Sequence, residues 1–307
     1  MEQGNRMALL VTGSIGIDTV KTPHGVSENC LGGSAVYFSV AASFFAPVRF
    51  VGVVGCDCPF DLADVFKGRD VDLMGLEVRN GSKTFRWAGS YHGSMNEAKT
   101  EGVELNVLAE KPPVVPAAFA DSKFVFLANT APALQQQLLE QIHNPTFIMA
   151  DTMNLWIENS LGDLKGLLKK VHALVINDGE ARLLAQHHNI ISAALAILDM
   201  GPEMVIIKRG EYGSMLVDKK GNYFILPAYP TTNVKDPTGA GDSFAGALMG
   251  YIAKQGRADV GVLKSAMAYG TVVASYTIEQ FSLHGLLDLN KDAIENRLGL
   301  FKNLITF

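Results

Sequence analysis

Residues 234–252 read V-K-D-P-T-G-A-G-D-S-F-A-G-A-L-M-G-Y-I and put a carboxylate beside the start of a helix. Phe244, Ala247, Leu248, Tyr251 and Ile252 share one face at a 3.6-residue period, so the turn at 238–242 delivers a helix N-terminus. Such a terminus offers unpaired backbone N–H groups and the positive end of the helix dipole, a site for an anion such as phosphate. Gly239 and Gly241 let the backbone approach a ligand without side-chain hindrance. Asp242 sets one carboxylate where a phosphate would be held, able to take the proton of a hydroxyl attacking phosphorus. By themselves Asp and Ser at a helix start also read as caps, so the rest of the chain has to decide.

The chain's rhythm supplies a scaffold. The apolar run 7–11 ends at Thr12-Gly13-Ser14 as a first buried strand, and 19–31 is extended and broken at Pro23-His24-Gly25 like a hairpin. Gly32-Gly33-Ser34 opens a helix to about Phe45; a strand follows at 48–54 and a helix at 59–67. Segments 73–78, 84–91 and 102–108 read as short strands with polar turns, Asn80-Gly81 giving the clearest hairpin signal. From Phe124 strands are expected at 124–129, 146–150, 173–176 and 203–208, alternating with helices at 132–143, 155–169, 178–188 and 191–200. A hairpin at 213–217 and 223–226 precedes the signature helix, and helices at 259–276 and 291–303 end the pattern. This alternation predicts an α/β fold with a mainly parallel sheet covered on both faces.

The D-x-T-G-A-G-D string, together with Gly32-Gly33 and Asn177-Asp178-Gly179-Glu180, resembles the signatures of the ribokinase-like (PfkB) family of carbohydrate and nucleoside kinases, over nearly the whole chain. The resemblance implies a three-layer αβα core from 1–14, 32–71 and 111–307, with a small β-sheet lid from 15–31 and 72–110. It implies that Asp242 is the catalytic base and that the N–H groups of Gly239, Ala240 and Gly241 form the anion hole for the transferred phosphate. Asp18 matches the family's acidic contact to acceptor hydroxyls, and Gly32 and Gly33 match its hinge between lid and core. Asn177 and Glu180 match an N-x-x-E motif on the side of Mg²⁺ and the ATP phosphates. Lys208, Gly210 and Gly213 lie in the strand-end loop that relatives set against the nucleotide. Asp236 and Thr238 match positions that hold a monovalent cation such as K⁺ in many members.

The chain also departs from the family pattern. Tyr37 stands where many sugar kinases carry Asn, implying an altered acceptor pocket or an aromatic stacked on the substrate. The stretch Asp151-Thr152-Met153-Asn154 resembles a D-x-N motif lengthened by one residue, and Ala268-Tyr269-Gly270 lacks an Asn used near the nucleotide base. Trp87 and Tyr91 on the lid segment are able to cover a sugar ring or nucleobase, though aromatics on a small sheet more often form its own core.

Composition excludes other classes. The chain has 307 residues, 48% of them hydrophobic, and carries a net charge of -5 with no Lys/Arg cluster, which argues against nucleic acid as partner. No apolar run reaches the roughly 18 residues of a membrane span, and the polar start is no secretory signal, so a cytoplasmic protein is expected. Cys30, Cys56 and Cys58 lack metal spacing and read as buried free thiols, and the seven His residues are scattered. Neither a Walker P-loop nor a dinucleotide fingerprint occurs. The expected function is ATP-dependent phosphorylation of a hydroxyl on a sugar or related polyol. A nucleoside acceptor of adenosine type and a non-catalytic sugar- or nucleotide-binding sensor are the alternatives. The open strand edges of such a lid point to a homodimer.

Overall fold

The structure is a computed structural model that describes residues 8–306; Met7, where the reading begins the first strand, lies outside them. The chain opens with β1 (Leu9–Thr12), β2 (Gly16–Thr22) and β3 (Gly25–Gly32), followed by α1 (Ser34–Ala42), β4 (Val48–Gly55), α2 (Leu62–Val65) and β5 (Val71–Arg79). Then come β6 (Phe85–Tyr91), β7 (Ala98–Glu104), β8 (Phe124–Leu127), α3 (Pro132–Leu139), β9 (Phe147–Asp151), α4 (Asn154–Asn159) and α5 (Leu161–Leu168). The second half runs β10 (Ala173–Asn177), α6 (Asp178–Ala185), α7 (Ile190–Asp199), β11 (Met204–Lys208), β12 (Ser214–Asp218) and β13 (Tyr223–Leu226). It ends with α8 (Ala240–Gln255), α9 (Val260–Thr277), α10 (His284–Leu287) and α11 (Lys291–Ile305).

A nine-stranded sheet has the order β13-β12-β11-β10-β9-β8-β1-β4-β5. It is parallel from β11 through β5, and β12 and β13 add an antiparallel margin. Because strand side chains alternate between faces, Leu9 and Val11 join Phe124 and Phe126 in the core under α1, α8 and α9, whereas Leu10 joins Val125 and Leu127 under α3, α5, α6 and α7. That partition makes three layers. Strand order reverses at β1, which lies between β4 and β8, and the crevice outside the carboxyl ends of such strands is where open α/β sheets take ligands.

The second sheet has the order β3-β2-β6-β7. The hairpin expected around Pro23 is present, but β5, read as part of the lid, instead runs parallel to β4 at the edge of the large sheet. Its alternating polarity looked like a lid strand because an edge strand is covered on one face only. The Asn80-Gly81 turn therefore joins strands of different sheets rather than a hairpin. The strand expected at 102–108 lies at β7 and is followed by a 3₁₀ turn; β7 is exposed throughout, so its polarity hid it.

Other differences are local. The helix read at 59–67 forms only at Leu62–Val65, capped by the Asp61 carboxylate accepting from the Ala63 N–H, and the helix read at 155–169 breaks at Ser160 into α4 and α5. The three cysteines are free, but Cys56 is exposed and Cys30 and Cys58 are half-buried. Among the described residues no helix is long and apolar enough to cross a membrane.

Candidate active site

The signature turn is built by Asp236. Its Oδ1 accepts the Thr238 N–H at 2.9 Å and its Oδ2 accepts the Ser282 N–H at 3.2 Å, so the carboxylate is held by backbone donors. Burial raises its pKa, and the Thr238 hydroxyl together with those two N–H groups restrains the rise. The Asp236 carboxylate, read as a cation ligand, thus also fixes the turn. Thr238 presents its hydroxyl to the Tyr91 phenol of the lid at 3.4 Å. Gly239 follows in the left-handed region at φ 75° and forms the N-cap of α8 without a side-chain cap; the Ala240 N–H, read as part of the anion hole, instead donates to the Pro237 carbonyl at 3.1 Å.

Asp242 lies in the first turn of α8, half-buried, beside that helix start. Its pKa is pushed up to about 7, by burial and by the negative charge of Asp151, against the pull of Lys208 and of its own backbone N–H. Lys208, at the end of β11, reaches Asp151 Oδ2 at 3.3 Å, and its ammonium would lie 2.8 Å from a Cβ on Gly241. A side chain at 241 would push that ammonium away from the helix start. Burial alone would lower the Lys208 pKa, but Asp151, Glu180 and Asp242 outweigh it and the group is raised.

Asp151 ends β9 and holds its own turn, Oδ1 accepting the Thr152 N–H at 2.8 Å. The extra residue in the lengthened D-x-N stretch thus falls after the carboxylate, and Asp151 keeps its place beside Lys208. Asn177 and Glu180 form a full capping box at α6: Glu180 N–H donates to Asn177 Oδ1 at 2.7 Å, and Asn177 N–H donates to Glu180 Oε2 at 3.0 Å. Glu180 is pushed up to about 7 by burial and Asp151, with Asp242 adding and Lys208 and the Asn177 N–H opposing. Glu180 is thus both a cap and a member of the acidic cluster.

At the acceptor end, Asp18 of β2 is only 5% exposed, and its Oδ1 has no hydrogen-bond partner. An orphaned buried carboxylate oxygen is costly unless a ligand completes it. Burial, Asp242 and Asp236 push its pKa up to about 7, and the Gly33 N–H opposes them. A methyl on Gly32 would collide with the Asp18 carboxylate, and Gly33, at φ 99°, would drive one into the Ser14 carbonyl. Asp242, Asp236 and Asp18 share one field, so the structure brings the two ends of the proposed site together.

Tyr37 is not free to stack on a ligand. It is 2% exposed, and its ring lies directly beneath Gly239, where a methyl would strike it. Burial and the charges of Asp236 and Asp18 hold its phenol well above the usual range. Trp87 remains half-buried on the lid, its Nε1 donating to Thr100 Oγ1 at 3.2 Å. Gly213, at φ 84°, is needed where its backbone crosses Leu226 and Pro227, while Gly210, at φ 53°, lies against Asn96 of the lid. Glu211 pairs with Asn96. Local sequence pattern gives no signal for a contact between residues so far apart.

No group of three or more His, Cys, Asp or Glu side chains with metal-holding geometry occurs among the described residues. Yet carboxylates pushed up to about 7 around one lysine create a negative potential suited to Mg²⁺ held partly through water.

A family model described as pfkB family carbohydrate kinase matches residues 10–287. A cytidine kinase from Thermococcus kodakarensis is 28% identical over 252 residues, covering 79% of this chain and 88% of that protein. Among solved structures, a ribokinase from Cryptococcus neoformans in complex with ADP superposes with a TM-score of 0.76 at 21% identity, over 95% of this chain and 99% of that one. A nucleoside kinase from Burkholderia thailandensis in complex with inosine gives 0.75 at 17% identity, over 96% and 99%.

Proposed function

The chain belongs to the pfkB family of carbohydrate kinases, and from that premise we propose that it transfers the γ-phosphoryl group of ATP to a hydroxyl of a ribose-bearing acceptor. The observation that carries this reading is Asp242, a carboxylate poised near neutral pH at the open N-terminus of α8, with the Lys208 ammonium packed against Gly241. A general base works best with a pKa near the operating pH.

Asp242 takes the proton of the acceptor hydroxyl as its oxygen bonds to the γ-phosphorus; the bond to the bridging oxygen breaks and ADP leaves. The N–H groups of Gly239 and Gly241 hold the transferred phosphoryl oxygens, the Ala240 N–H being taken up by the Pro237 carbonyl, and Lys208 offsets their charge. Asp18 orients the acceptor through its unpartnered Oδ1. Lys208, Gly210 and the Arg209–Gly213 backbone face the nucleotide. Mg²⁺, near Glu180 and Asp151 through water, would neutralise charge on the ATP phosphates. A monovalent cation would lie beside Asp236 and Thr238, whose backbone carbonyls and side-chain oxygens would be its ligands.

The similarity to a cytidine kinase over 79% of the chain favours a nucleoside acceptor. The free sugar is the second reading, favoured by Tyr37, which is buried and leaves one less aromatic face for a base. A panel of cytidine, adenosine, inosine, ribose and fructose, followed by ADP release with Mg-ATP, separates them. Phosphorylation of a nucleoside at least tenfold above any free sugar is expected; turnover confined to free sugars overturns the nucleoside reading. Ligand binding without transfer to any acceptor would make the chain a sensor. The outer strands of the lid, β3 and β7, have open edges, and pairing of two lids in a homodimer is tested by light scattering.

A further inference from the structure

The hairpin joining β6 to β7 leaves the lid and crosses to the nucleotide side. Met95, at φ 56° and 9% exposed, packs with Val20 and Tyr91 in a small core that Trp87 and Val234 complete. With Met95 pinned inward, its neighbour Asn96 projects onto the loop after Lys208. Asn96 Nδ2 donates to Glu211 Oε1 at 2.9 Å, and the Glu211 N–H donates to Asn96 Oδ1 at 3.3 Å. The pair closes a ring in which one amide reads both the side chain and the backbone of Glu211. Gly210 makes room for it: a Cβ there would collide with Asn96 Oδ1. Next to it, Glu97 Oε1 comes within 3.7 Å of where a Cβ on Gly179 would stand, at the start of α6.

The two strands framing this hairpin belong to the sheet that carries Asp18, since β2 pairs with β6. The loop it touches begins one residue after Lys208, whose ammonium lies against Gly241. A single lid thus carries the acceptor carboxylate at one end and contacts the Arg209–Gly213 loop at the other.

We propose that Asn96 is a positioning residue that couples lid closure over the acceptor to the conformation of the nucleotide-side loop, so that the two substrates tighten each other's binding. The proposal rests on the kinase reading above. Coupling of this kind is reciprocal: whatever factor the acceptor gives nucleotide affinity, the nucleotide gives acceptor affinity.

The test is a charge exchange across the pair. Asn96→Asp removes the donor and sets a carboxylate against Glu211. Asn96→Asp combined with Glu211→Gln restores a donor–acceptor pair in the reverse sense, the backbone N–H of residue 211 still donating to position 96. Affinity for a non-hydrolysable ATP analogue is measured with and without the best acceptor from the panel. In the wild type the acceptor is expected to tighten the analogue about 5-fold, the lower end of ordinary allosteric coupling. In N96D this factor falls to about 1 and the KM for ATP rises by a similar factor, while the melting temperature stays near that of the wild type because the pair is exposed; the double variant regains the coupling.

An unchanged coupling factor in N96D, or a double variant no better than N96D, overturns the proposal while leaving a working kinase. If the wild type transfers phosphate to no acceptor, the kinase reading fails and takes this inference with it.

Discussion

The ring of Tyr37 lies directly beneath Gly239, so the first residue of the anion hole is supported from below by a buried aromatic from α1. Two constraints meet at Gly239. Its φ of 75° is one that side-chain-bearing residues rarely adopt, and any Cβ would strike the ring. Gly239→Ala is therefore expected to lower kcat at least 100-fold and to cost about 1–3 kcal/mol of stability in a urea titration. Tyr37→Val in the same chain would relieve the clash but not the backbone strain, so activity is expected to stay low. Near-wild-type kcat in Gly239→Ala would show that the anion hole tolerates a different turn.

Asp242→Asn is expected to trade activity for stability. The native carboxyl titrates at about 7 against its ordinary 3.8, so between those values the folded state holds a proton that the unfolded chain has released. Where the folded state binds more protons, stability falls as pH rises. The penalty is absent below about pH 4, grows through the window and is complete above pH 7. The Asn variant escapes it. Its melting temperature should exceed the wild type's at pH 8 and approach it at pH 4, while kcat drops by about 10²–10⁴, the range for loss of a general base. Equal melting curves at pH 8 would mean that the carboxylate is better solvated than its surroundings suggest.

Lys208 is the cation against which Asp151, Glu180 and Asp242 are balanced. Wild-type kcat/KM is expected to fall below pH 7, as protonation removes the base. Asp18, Glu180 and Asp242 are all pushed up to about 7, and Asp18 and Glu180 each feel the charge of Asp242, so their titrations are spread apart and the acid limb should be broader than a single-proton curve. Lys208→Met takes away the charge that lowers Asp242 and Glu180, so its acid limb should move to higher pH and its KM for ATP should rise about tenfold or more. Lys208→Arg is not a rescue, since the ammonium occupies space cleared by Gly241 that a guanidinium overfills. An acid limb that stays put in Lys208→Met would separate the lysine from the base.

The parts of this site that were legible in the sequence are those whose chemistry is local. The turn 236–242, the paired glycines and the N-x-x-E stretch each carry their own geometry within a few residues, and their carboxylates and lysine converge in the structure. What was misread depends on packing between distant segments. Tyr37 reads from the sequence as a substrate contact because its type differs from the family's, but whether a ring faces a cleft or the underside of a turn depends on α8, some 200 residues on. An edge strand and a lid strand share one polarity pattern, so pattern alone does not separate β5 from the strands of the lid. The Asn96–Glu211 pair spans 115 residues and consists of two ordinary polar side chains, so no periodicity marks it.

Gly32 offers the cleanest separation of acceptor from nucleotide. Its Cα stands against the Asp18 carboxylate so closely that a methyl there would have to displace it, and Asp18 is the only acidic side chain on β2. Gly32 lies in β3 without positive φ, so Gly32→Ala meets only the Asp18 collision and no backbone penalty. The collision is with the end of the Asp18 side chain, whose Oδ1 no hydrogen bond holds in place. The variant is therefore expected to fold and to bind the ATP analogue as the wild type does, while its KM for the acceptor rises about 10-fold or more as the hydrogen bonds from acceptor hydroxyls are lost. Asp18→Asn should give the same acceptor defect and, by removing a carboxylate raised to about 7, a higher melting temperature at pH 8, whereas Gly32→Ala should not stabilise the fold. A loss of ATP affinity equal to the loss of acceptor affinity in Gly32→Ala would mean that Asp18 serves the whole cleft and not its acceptor end.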